Sequence, residues 1–143
     1  MKFKLLLLFT FFSLSLSAQE VEEVFRVAEK MPLFPGCEDR DLPADEHQKC
    51  AQEAMLQFVY RNLQYPDEAR KAGIEGMVVI RFVVGVDGLV KDAKIVREIG
   101  GGCGAEALRV VNSMAERDIR WIPGQNRDGA VPVSFNLPVK FKQ

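Results

Sequence analysis

The chain has 143 residues, 48% hydrophobic and 27% charged, with 19 Lys and Arg against 20 Asp and Glu. That length suits one domain with its own core. A net charge of −1 leaves no electrostatic footprint for nucleic acid or anionic lipid, so nucleic acid is not an expected partner.

Lys2 and Lys4 form a short basic front, Leu5 to Leu16 is an apolar run with interspersed Ser, and small residues follow. This pattern predicts a secretory signal peptide over residues 1–18, cleaved after Ser17 or Ala18. Retention as an inner-membrane anchor is the lesser reading, because the run is shorter than the ~20 residues a spanning helix needs. Cleavage removes two lysines and moves the net charge to −3. An exported chain meets an oxidising compartment, and three cysteines then suggest one disulfide and one leftover thiol. Cys37 and Cys50, nearest in sequence around an acidic loop, are the expected pair, with Cys103 left over. The bridge would staple a lead with little core of its own, worth ~2–3 kcal/mol on the loop-entropy model.

Residues 19–46 read as an N-terminal arm and Cys-bearing loop, and 47–143 as the main domain. The arm, with Phe25 among charges, suits a short strand or a loose segment. Asp45 followed by Gln48 resembles a capping box opening a helix, whose face Ala51, Ala54, Met55, Phe58 and Val59 carry through about Tyr60. A second, shorter helix has Pro66 at its start, Asp67 and Glu68 in its first turn, Arg70 and Lys71 in its last and Gly73 just beyond.

Gly76 to Val84 is rich in β-formers, and Asp87-Gly88 then supplies a hairpin turn into a second strand, Leu89 to Arg97, with Leu89, Ala93 and Ile95 on one face. A hairpin alone is marginal, so a third strand is needed. Gly100 to Gly104 reads as a flexible connection to a helix over about Ala105 to Met114. From Val131 to Phe141 every odd position is apolar and every even one is Pro, Ser, Asn or Lys. This predicts the third strand, half-buried, with Pro132 and Pro138 placing it at a sheet edge. The expected fold class is α+β: a three-stranded antiparallel sheet with helices packed on one face.

Chemistry finds little support. Gly100-x-Gly102-x-x-Ala105 matches a permissive pyrophosphate-binding pattern, but an antiparallel hairpin leaves no doubly wound sheet to hold it, and no cofactor is expected. Cys37, His47, Cys50 and Cys103 have the ligand count of a Cys₃His zinc site without a close Cys pair, and no metal is expected. His47 reads as an exposed first-turn residue. A thiol-dependent enzyme using Cys103 is the weakest alternative, resting on glycine neighbours that would expose it at a helix N-terminus. No catalytic residues are assigned.

Recognition by backbone remains. The runs Arg61-Asn-Leu-Gln-Tyr-Pro-Asp-Glu-Ala-Arg, Gly73-Ile-Glu-Gly-Met-Val-Val-Ile-Arg-Phe-Val-Val and Asp87-Gly-Leu-Val, in that order, resemble the C-terminal domain of the energy transducer TonB. Ala105-Glu-Ala-Leu-Arg-Val-Val, Trp121-Ile-Pro-Gly and Val133-Ser-Phe-Asn-Leu-Pro-Val-Lys-Phe extend the likeness, over roughly Arg61 to Phe141. The lead, Phe34-Pro-Gly-Cys-Glu and Lys49-Cys-Ala, is similar to a Bacteroidetes-type variant. The resemblance implies a periplasmic module that binds the TonB-box peptide of a TonB-dependent outer-membrane transporter by strand addition. It implies partner contacts at Val133, Ser134, Phe135, Asn136 and Leu137, with a second region at Asn62, Gln64, Tyr65 and Pro66. For Tyr65 and Pro66 the alternative is that they start the short helix and pack on the sheet. A tethered transducer has an anchor and a long Pro-rich linker; this sequence has neither if its leader is cleaved, and inner-membrane contact is expected only if the leader is kept. An untethered structural protein that homodimerises through the same edge is the alternative function.

The two prolines share a parity, and in an antiparallel strand the backbone groups of alternate residues point to opposite sides. The even residues are therefore expected to face outward, offering donors at Ser134, Asn136 and Lys140 and a short pairing centred on Ser134 to Asn136.

Overall fold

The computed structural model describes residues 20–143, and the predicted leader lies outside the described residues. Helix α1 spans Ala44–Asn62, α2 Asp67–Lys71 and α3 Cys103–Glu116. Strands follow as β1 Gly76–Val84, β2 Val90–Arg97, β3 Gly124–Asn126, β4 Gly129–Val131 and β5 Val133–Phe141. The main sheet is antiparallel with order β2-β1-β5, and β3 with β4 forms a separate hairpin. The α+β class holds.

Alternation explains the sheet's two faces. Val78, Ile80, Phe82 and Val84 of β1 stand opposite Val139, Leu137, Phe135 and Val133 of β5 and turn to the core. Met55 and Val59 of α1 and Ala107, Val110, Val111 and Met114 of α3 cover that face. Phe34 from the lead joins the same core. Trp121 sits edge-on to Phe34, Phe82 and Phe135, with ring centroids 5.4–5.7 Å apart. Its backbone N–H reaches the carbonyl of Gly88 at 2.9 Å, and a Cβ at Gly88 would lie 2.2 Å from the Trp121 carbonyl oxygen. The Asp-Gly turn is thus fixed from below as well as by its own sequence.

Five local expectations change. α1 opens at Ala44 behind Pro43, whose carbonyl accepts the first helical bond from His47, and no side-chain cap forms; Asp45 lies inside the first turn and acts on the helix dipole. In β2 the core takes Val90 instead of Leu89, because Asp92 at φ 52 makes a bulge that sets Asp92 and Ala93 together against Phe82. The long third strand is divided: Val131 pairs in the β3–β4 hairpin, which turns at Arg127-Asp128, and β5 begins after Pro132. α3 is longer at both ends than expected, closing with Asp118 at φ 54 and a bond from Ile119 N–H to the Met114 carbonyl. The glycine connection is packed: Gly100, Gly101 and Gly102 all have positive φ, and Gly101 lies against Ala69, where a Cβ would meet that residue's Cβ at 2.7 Å.

α2 matches its reading in charges and C-terminal glycine, but Pro66, expected as the first helical residue, is the extended N-cap before Asp67. Gly73 sits at φ 65, and the Ile74 N–H to Ala69 carbonyl bond with Gly73 N–H to Arg70 completes a Schellman closure. The bridge Cys37–Cys50 ties the lead to α1.

Candidate partner-binding edge

β5 pairs with β1 on one side and, among the described residues, has no strand of the main sheet on the other. Its outward groups follow the expected parity. The Ser134 N–H donates to the Phe25 carbonyl at 2.8 Å, the Pro132 carbonyl accepts from Phe25 at 3.0 Å, and the Lys140 N–H donates to the Tyr60 hydroxyl at 3.0 Å. Pro132, Ser134 and Lys140 are all even-numbered, so both missing proline donors fall on the outer side.

The edge is nonetheless less open than expected. Phe25 forms an isolated parallel bridge with Val133, and the arm continues through bridges of Lys30 with Gln125 and Leu33 with Ile122. The chain's own arm therefore holds the Ser134 donor, and α1 holds that of Lys140. The Asn136 N–H, outward by the same parity on an exposed residue, makes no hydrogen bond among the described residues. Val133, Phe135 and Leu137 direct their backbone groups toward β1 and their side chains toward the core. They hold the edge in place, while Ser134 and Asn136 present it.

On the sheet face opposite the helices, Arg81 of β1 stands directly across from Asn136 and donates Nε–H to its Oδ1 at 3.1 Å. Before reaching Phe25, the arm is tied to this sheet by an ion pair between Glu22 and Lys91 of β2. Val24, Arg26, Arg81, Ser134 and Asn136 line a cleft of about 310 Å³ between arm and sheet. Nothing in the sequence pattern marked Arg26 or Arg81, since their meeting depends on the path of the arm.

The second expected region forms elsewhere. Gln64, Tyr65 and Pro66 line an open cleft of about 460 Å³ with Gly102, Glu106 and Arg109 over the first turns of α3. Asn62 is outside this lining; its side-chain amide donates to the Phe58 carbonyl at 2.7 Å and its own carbonyl accepts from Arg109 at 2.9 Å. The Gln64 N–H donates to Glu106, which also takes two bonds from Arg109. Those Arg109 bonds, helped by Gln64, hold the Glu106 carboxyl below its ordinary range. The Tyr65 hydroxyl donates to the Ile74 carbonyl and its ring meets Phe141 edge-on at 5.6 Å, so packing on the sheet occupies much of this residue. Phe141 is the opposite end of β5 from Val133, and the two regions are separate.

The chemical alternatives do not assemble. Cys37 and Cys50 are joined, and His47, half-buried instead of exposed, donates Nε2–H to the Cys37 carbonyl at 2.6 Å. Cys103 is wholly buried in the core; burial, then the Glu98 charge, pushes its thiol up. This overturns the exposed, activated thiol on which an enzyme reading rested. At the start of α3 the Glu98 carboxylate already accepts from the N–H groups of Gly100 and Gly104, at 2.9 and 3.2 Å, where a pyrophosphate would have to sit. Among the described residues no helix is long and apolar enough to cross a membrane.

Comparison with known families matches the Gram-negative bacterial TonB protein C-terminal family over residues 61–143. Two solution structures of the Helicobacter pylori TonB C-terminal domain are similar. The shorter shares 23% identity over 64% of this chain and 91% of its own, with a TM-score of 0.47. The longer shares 22% identity over 64% of this chain and 79% of its own, with a TM-score of 0.50, a likeness of fold alone. No curated protein matches the chain.

Proposed function

The chain belongs to the Gram-negative bacterial TonB protein C-terminal family, and on that footing we propose that it is a periplasmic module binding an extended peptide of a TonB-dependent outer-membrane transporter by strand addition to β5. The observation that carries this is the short unfilled interval of edge at Asn136, bounded by Phe25 on one side and Tyr60 on the other. A peptide pairing there gains backbone hydrogen bonds that water otherwise supplies, at a net of ~0.5–1.5 kcal/mol each. So short a ladder gives weak binding unless the arm yields Ser134 as well. Pro138, without an N–H, ends the ladder on its far side. The role is one of binding, with no chemistry at the site.

Titration of the chain with peptides from the transporters of the same organism tests this through backbone amide shifts. Movement centred on Ser134 and Asn136 is the expected outcome, and unmoved amides from Ser134 to Lys140 would sink the reading. Sedimentation across concentration separates it from homodimerisation through the same edge: a constant monomer excludes the dimer.

A further inference from the structure

Arg81 lies on the middle strand of the sheet, on the face away from the helices. Its register partner on β2 is Lys94, so two cations stand directly opposite one another, an arrangement that costs stability. On its other side Asn136 takes one hydrogen bond from Nε–H and fixes the direction of the guanidinium. Arg26 reaches the same cleft from the arm. Among the described residues neither arginine forms an ion pair, and the neighbouring Glu22 is engaged by Lys91. The chain has more acidic than basic residues, yet this cleft gathers cations without an acid to answer them. Ser134 and Asn136 add a hydroxyl and an amide to its wall, and the same two residues carry the outward backbone edge.

We propose that this cleft is a carboxylate-binding site, and that its occupant is an acidic side chain of the strand that adds to β5. The second half rests on the strand-addition reading given above; the first half does not. An added strand places alternate side chains over the open sheet face. One of these stands beside Asn136 at the mouth of the cleft that Arg26 lines, and the Arg81 guanidinium reaches toward it across β5. A guanidinium offers paired donors matched to the two oxygens of a carboxylate, and two guanidiniums across a narrow cleft hold one acid from both sides. The cleft then selects peptides with Asp or Glu at that position, which a backbone ladder alone does not.

The test has two arms. Sodium acetate is titrated into the whole chain against sodium chloride at equal ionic strength, following the Nε–H signals of Arg26 and Arg81 and the side-chain amide of Asn136. Saturable shifts with acetate, lost in the double variant Arg26→Gln, Arg81→Gln, are expected; shifts no larger than those with chloride overturn the site. In the second arm, transporter peptides that differ only in Asp against Asn at one position are compared. The Asp form should bind about fivefold tighter to the native chain and equally to the double variant. Equal binding to the native chain overturns the assignment of the occupant. If neither peptide binds, strand addition fails, and the acetate arm still decides the cleft.

Discussion

At the scale of single residues, Gly101 and Gly73 separate two costs that glycine avoids. Both have φ 65, but a Cβ at Gly73 meets nothing within 4 Å, whereas one at Gly101 presses on the Cα and Cβ of Ala69. Gly73→Ala should therefore lose about 1 kcal/mol, the conformational cost alone. Gly101→Ala should lose about 2–3 kcal/mol, adding the overpacking of α2 against the connection. Denaturant midpoints of the two variants measure the difference. Glu106 makes a separate prediction. Its carboxyl is held low in the fold by Arg109 and Gln64, so the unfolded chain binds the proton more readily. The stabilisation is present above the ordinary Glu range and is lost as pH falls through the lower folded value. Stability of Glu106→Gln should fall below that of the native chain at neutral pH, and the two should converge in acid.

At the scale of elements, the arm and β5 form one unit. Two backbone bonds join Phe25 to Pro132 and Ser134. A chain beginning at Ala28 loses both, and hydrogen exchange at Ser134 should become fast while Phe135, bonded toward β1, keeps its protection. The same truncation should tighten binding of a peptide with Asn in place of the acidic residue, which does not depend on Arg26, because the arm no longer occupies the donor. Retained protection at Ser134 would mean that Phe25 is not what shields it. The elements with local signals were legible in the sequence: α2 through its proline, charges and glycine, the β1–β2 hairpin through Asp87-Gly88, β5 through strict alternation. Those that depend on distant partners were not. The bulge at Asp92 is a non-glycine residue at positive φ, so no turn residue announces it. Asp118 closes α3 in the same way. The arm lay hidden among charges because an isolated bridge at Phe25 leaves no periodic pattern to read. Ser134, Asn136 and Lys140 could be named from parity alone, but whether their donors were free depended on the arm and on Tyr60.

At the scale of the whole molecule, one core takes side chains from the lead, the helices and the sheet. The disulfide joins residues 13 apart in sequence and holds the lead, with Phe34, over α1. Its reduction should lower unfolding free energy by about 2–3 kcal/mol, read as the shift in urea midpoint with and without reductant. The sheet then has two unlike faces: a dry one under α1 and α3, and a polar one crossed by the arm, where Arg81 and Asn136 lie next to the free edge. Binding at that edge is the central claim, and it makes a demand on the peptide's backbone that side-chain docking does not. A series of transporter peptides, each N-methylated at one position, tests it directly by affinity. Strand addition predicts loss of binding at alternate positions, those whose N–H faces β5, with the intervening methyl groups tolerated. Tolerance at every position would contradict it.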